Sequence, residues 1–65
     1  MKIVKEKYCI ASKVFPLIFY EEGEDYDDIE DICLREKEKC ENDLNTYYDF
    51  PEELQVLKVK VIYEI

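Results

Sequence analysis

Apolar and polar positions alternate most cleanly at the end of the chain. In residues 55–65 (QVLKVKVIYEI), Leu57, Val59, Val61, Tyr63 and Ile65 interleave with Val56, Lys58, Lys60, Ile62 and Glu64. That is the period of two that a strand requires. Residues 2–11 (KIVKEKYCIA) mix β-formers with lysines, and Val4, Tyr8 and Ile10 make an interrupted inward face of a second strand. After a turn at residues 11–13, the dense apolar run of residues 14–20 (VFPLIFY) predicts another strand. Pro16 lacks an amide donor, which confines this strand to an edge or a bulge. An exposed apolar edge there, with Phe15, Leu17 and Phe19 on it, invites pairing with another chain.

Between these strands the period changes. Tyr26, Ile29, Cys33, Cys40 and Leu44 recur at spacings of three, four and seven, one face of a helix over roughly residues 25–44. Asp27 and Glu30 have the spacing of a capping box, and Lys37 and Lys39 lie toward the end that favours positive charge. Asp31 and Arg35 have the acid-first i, i+4 order. Asn42 and Asn45 mark the fraying end, and residues 46–53 (TYYDFPEE) read as a loop with a helical turn begun by Pro51.

The elements assemble as a single α+β domain over residues 1–65, a β-β-α-β unit with one helix packed on one face of a three-stranded sheet. A helix of about 20 residues spans ~30 Å and an eight-residue strand ~27 Å, so the layers match in length. A right-handed crossover from the second strand to the last makes those two parallel, flanking the first in the order 2-1-3. The other sheet face is then bare.

Composition narrows the chemistry. The chain has 65 residues, with 17 Asp+Glu against 9 Lys+Arg, no His and a single glycine, Gly23. A net charge of −8 argues against a direct nucleic-acid or anionic-membrane binder, since phosphate contacts come from Lys and Arg. The longest apolar run is far short of the roughly 20 residues of a spanning helix, and no signal peptide opens the chain, so a cytoplasmic protein is expected. Without His or a glycine-rich phosphate loop, and with Ser12 and Thr46 the only hydroxyls besides the tyrosines, no enzyme and no cofactor are expected. Cys9, Cys33 and Cys40 are an odd number and lack CxxC spacing. They read as reduced, small buried hydrophobes rather than as metal ligands.

Charge is sharply segregated. Residues 21–31 (EEGEDYDDIED) carry −8, whereas residues 1–20 carry +3 and residues 55–65 carry +1. A charge run is usually a solvated face that keeps a small protein soluble. Eight acids in eleven residues, however, set up a field that decays only over ~10 Å at 0.1 M salt, suited to recognising a basic protein partner. Tyr20 and Tyr26 bracket the run, and Tyr47, Tyr48 and Phe50 cluster after the helix. Tyrosines supply large area with a polar tip at binding hot spots. The candidate partner-binding residues are therefore Tyr20, Glu21, Glu22, Glu24, Asp25, Tyr26, Asp27, Asp28 and Asp31. A homodimer is also expected, because so short a chain gathers only about 3–5 kcal/mol from its own core. The alternative is a monomer whose open face is solvated by lysines.

Lys outnumbers Arg eight to one, and Ile, Tyr, Glu and Asp are frequent, as in an AT-rich genome. The profile of a tiny, acidic, glycine-poor domain is similar to that of the small antagonist proteins that phages and mobile elements make, though no motif carries the likeness. It implies an inhibitor of a host defence or nucleic-acid enzyme, with DNA mimicry as a special case. The competing expectation is a self-assembling regulatory or structural protein, such as an acidic antitoxin or scaffold subunit.

Overall fold

In the computed structural model, which describes residues Met1–Ile65, the first strand is the centre of the sheet. Strand β1 (Lys2–Ser12) pairs antiparallel with β4 (Leu54–Glu64) along its full length, from Lys2 opposite Glu64 to Ser12 opposite Leu54. On its other side it pairs with the short β2 (Phe19–Glu21) through Ile10–Tyr20 and Ala11–Phe19. Strand β3 (Glu24–Tyr26) closes a tight hairpin onto β2, giving the order β3-β2-β1-β4. The protein is α+β, with one α-helix and a four-stranded antiparallel sheet. The strand that follows the helix lies beside the first and runs parallel to β2, as expected. The fourth strand was not expected.

It comes from the segment read as the first half of the helix. Helix α1 spans only Lys37–Tyr47. Of residues 25–36, Asp25 and Tyr26 belong to β3, and Ile29–Asp31 form a 3-10 turn. Arg35 then lies extended beside β1, its amide donating to the Tyr8 carbonyl and its carbonyl accepting from the Tyr8 amide, both at 2.8 Å. The sheet captures backbone groups that a helix would have paired internally. Asp28, not Asp27, caps the 3-10 turn, accepting from the Glu30 amide at 2.9 Å. Cys33 is thus off the helix and exposed, while Cys9 and Cys40 are buried.

The run 14–20 also resolves differently. Only residues from Phe19 onward are strand, and Pro16 sits in a loop rather than on a sheet edge. Ser12 closes this loop: its amide donates to the Ile18 carbonyl at 2.9 Å, and its hydroxyl donates to the Val14 carbonyl and accepts from the Ile18 amide, both at 3.0 Å. A second 3-10 turn, Pro51–Glu53, is pinned beside it by Lys13, whose ammonium donates to the Glu52 carbonyl at 2.6 Å.

Alternation along β1 puts Cys9 and Ala11 on one face and Ile10 on the other. Cys9, Ala11, Phe19 and Ile32 form the core cluster, with Leu17, Tyr26, Ile29, Leu34, Leu57 and Val59 packed around it. Ile10, fully buried, takes the opposite face with its cross-strand partner Tyr20. Tyr48, which directly follows α1, meets Tyr20 edge to face, so the end of α1 lies on that face. The face expected to be bare is therefore covered near the core by residues 29–34. Val4, expected to point inward, is exposed. What stays uncovered is the far part of the β1–β4 ribbon, which draws the molecule out to 43 × 24 × 16 Å.

Candidate partner-binding site

The acidic segment is organised by its one glycine. Glu22 and Gly23 have φ of +48° and +87°, the left-handed pair that a two-residue hairpin turn of the right twist needs. A glycine adopts this freely, whereas Glu22 is there under constraint from the strands on either side. The register sets Glu21 opposite Glu24, a like-charge pair that would be unfavourable if both were free. Each has found a donor instead. The Cys33 amide donates to Glu21 Oε2 at 2.6 Å, and the Tyr26 hydroxyl donates to Glu24 Oε2 at 3.0 Å. The latter bond, with burial and neighbouring acids adding, raises the Tyr26 pKa.

Glu22, Asp25, Asp27 and Asp31 are exposed or half-exposed and make no side-chain hydrogen bond. The four ion pairs of the chain are Lys7–Glu36, Lys58–Glu6, Lys37–Glu41 and Arg35–Asp43. No cation of the chain pairs with any acid of residues 21–31. Arg35 feels the field of Glu21, but its guanidinium is committed to Asp43; burial opposes its charge most strongly, and the Asp43 hydrogen bond together with the neighbouring negative groups more than offsets it.

The aromatic residues divide between the two faces. Tyr26 lies opposite Phe19 and packs on the core cluster. Tyr20 turns the other way and meets Tyr48 edge to face, ring centroids 5.8 Å apart at 84°. The Gly23 amide donates to the Tyr48 hydroxyl at 3.2 Å, so the chain after α1 is strapped to the hairpin turn itself. Burial raises the Tyr48 pKa, with the Gly23 hydrogen bond pulling the other way. Beside this contact is a hollow of about 290 Å³ whose lining includes Tyr20, Gly23, Tyr47, Tyr48 and Phe50. A larger one of about 480 Å³, bounded by Lys13, Val14, Pro16, Ile18 and Tyr20, adjoins it, and both share Tyr20, Glu53 and Leu54. Around them Val14, Phe15, Tyr47 and Phe50 stand well exposed.

Of the sequence-predicted site, Tyr20, Glu21, Glu22, Glu24, Asp25, Tyr26, Asp27, Asp28 and Asp31 all fall on the hairpin and the 3-10 turn after it. Tyr47, Tyr48 and Phe50 are brought against it from the other end of α1. Glu21 and Asp28 serve the fold as well, each accepting from a backbone amide. Of the self-association candidates, Phe15 is 86% exposed, whereas Leu17 and Phe19 are taken up by the chain's own core. The loop wall formed by Val14 and Pro16 was not visible as part of a hollow, because Ser12 and the Pro51–Glu53 turn that shape it are remote in sequence.

No helix is long and apolar enough to cross a membrane. In comparisons with known proteins the chain matches no family model, no curated protein and no solved structure.

Proposed function

We propose that this is a non-enzymatic cytoplasmic protein that binds and inhibits a host protein through the acidic hairpin and the tyrosine-lined hollow beside it. The observation that carries the reading is the unneutralised charge: eight acids over residues 21–31 meet no cation of their own chain. A basic partner surface would supply the missing counter-charge and be steered toward it. Affinity would come chiefly from the adjacent aromatics, since exposed ion pairs contribute little and central aromatic anchors much. A phage or mobile-element antagonist of a defence or nucleic-acid enzyme fits this chemistry. DNA mimicry is the stricter version and demands a contiguous double row of carboxylates matching one phosphate charge per about 1.7 Å of duplex axis.

The test is affinity capture from a nuclease-treated lysate of a low-GC bacterium. Wild type is compared with the fourfold variant Glu24→Gln, Asp25→Asn, Asp27→Asn, Asp28→Asn. Asn at position 28 keeps a capping oxygen, so the fold is retained. A stoichiometric basic partner, lost with the variant and at high salt, is the expected result. Capture that survives neutralisation removes the reading. Displacement of the partner by duplex DNA would select the mimicry version. The alternative function, a self-assembling antitoxin or scaffold subunit, is favoured if only the bait itself is recovered as an oligomer.

A further inference from the structure

The β1–β4 ribbon is the least self-sufficient part of the molecule. Only 6 of 65 residues are buried, and none of them lies on β4 or on β1 before Cys9. From Lys2 to Lys7, β1 has a neighbour on one side alone, and β4 has none on its outer side from Leu54 to Glu64. Ile62 and Ile65 are 61% and 74% exposed, with Val4 and Tyr63 about half exposed. A two-stranded ribbon is marginal in water by itself, and a long unpaired edge is a template for another strand.

We propose that the outer edge of β4 pairs antiparallel with the β4 edge of a second copy, joining two sheets into one across a two-fold axis at Val61. The proposal does not depend on the partner-binding reading. The register follows from charge and from the length of the ladder. In a continuous sheet, directly opposite residues share a face, so a two-fold axis pairs residues symmetrically about one central position. Centred on Lys58 or Lys60, the pairing sets a lysine against its own copy, and centred on Val59 it sets Lys58 against the partner's Lys60. Like charges directly opposite are unfavourable. Centred on Val61, Lys58 faces the partner's Glu64 and Lys60 faces the partner's Ile62. The other face is wholly apolar: Leu57 against the partner's Ile65, Val59 against the partner's Tyr63, and Val61 against its copy. Centring on Ile62 also sets Lys60 against the partner's Glu64, but it leaves Lys58 without a facing residue and shortens the ladder to residues 59–65.

The same register extends an existing pattern. Within one chain Lys2 lies opposite Glu64, and Lys58 reaches Glu6 at 3.2 Å. Joining the copies gives the sequence Lys2, Glu64, the partner's Lys58, the partner's Glu6, in strict alternation of sign. Edge lysines usually deter such pairing. Here they reject the registers centred on Lys58, Val59 and Lys60, and of the registers they allow, the one centred on Val61 has the longest ladder.

Val61→Glu separates this dimer from the fold. Inside the chain position 61 lies opposite Lys5, so a glutamate gains a partner there, but across the axis two glutamates meet. Sedimentation equilibrium of the full chain should give twice the chain mass for wild type and a single chain for Val61→Glu. Circular dichroism of the variant should remain that of the folded protein. Mixing Val61→Glu with Val61→Lys should restore the doubled mass. A wild type that stays monomeric at the highest concentration reached, or a Val61→Glu dimer as tight as wild type, overturns the proposal.

Discussion

The Cys9 thiol offers a direct measure of how much of this fold depends on one buried group. It lies on β1 between Tyr8 and Ile10, 1% exposed, in a cluster with Ala11, Phe19 and Ile32. Burial pushes its pKa from 9.0 up to about 11, with the nearby Cys40 thiol adding and Arg35 opposing. The folded pKa is thus raised above the unfolded one, so the neutral thiol is the form the fold favours. Its contribution is complete below pH 9 and is lost as pH rises through about 11. At 1.36 kcal/mol per pH unit, that window removes about 2–3 kcal/mol. A core this size supplies only about 3–5 kcal/mol, so the loss is a large share of the total. Cys40 is raised by burial too, and works in the same direction. Urea titrations followed by far-ultraviolet circular dichroism at intervals from pH 8 to 11 should show the midpoint falling steadily above pH 9. In Cys9→Ala, which starts lower because a cavity replaces the sulfur, the decline should be distinctly shallower. Tyr26 and Tyr48 also have raised pKa values, and the comparison with Cys9→Ala cancels their share. A wild type and a Cys9→Ala variant that decline in parallel would refute the reasoning, since the titrating group would then lie elsewhere.

Four further outcomes are expected. Of the three free cysteines only Cys33 is exposed, so a thiol reagent should modify one equivalent rapidly in the native protein and the other two only on unfolding. Gly23→Ala should cost about 1 kcal/mol by denaturant midpoint, from the left-handed backbone alone, because nothing lies within 4 Å of the added carbon. Tyr48→Phe should cost less than ~1 kcal/mol, as water can replace the hydroxyl on the exposed Gly23 amide. Tyr48→Ala, which also loses the ring contact with Tyr20, should cost about 2 kcal/mol and speed amide exchange at Gly23.

The strands with strict alternation were legible in the sequence, and those shaped from a distance were not. Residues 55–65 were read almost to the residue, because lysines at 58 and 60 between valines fit nothing but a strand. Residues 25–36 were misread because no proline or glycine interrupts them and the spacing from Tyr26 through Ile29 to Cys33 imitates a helical turn. What denies the helix is the bridge from Arg35 to Tyr8, a contact across 27 positions that no local pattern records. Val14–Ile18 has the residues of a strand, and becomes a loop because Ser12 spends both its backbone and its hydroxyl on closing it. The acidic cluster itself needed no structure to find. That Tyr48 would be tied to Gly23 is invisible in sequence, but the chain's only glycine amid acids was the available sign of the turn.

The pairing of β1 with β4 also governs when the molecule can exist during synthesis. Of the four strands β1 is made first, and its longest ladder is with β4, made after the other three. The meander of β1, β2 and β3 can assemble early, yet β1 keeps one edge open until β4 emerges. Contacts between residues so far apart in sequence slow folding, because the intervening chain must be ordered before they form. Until residues 54–64 have been made, β1 therefore stands as the open edge of an unfinished sheet, and this domain completes its fold only once β4 is free to pair.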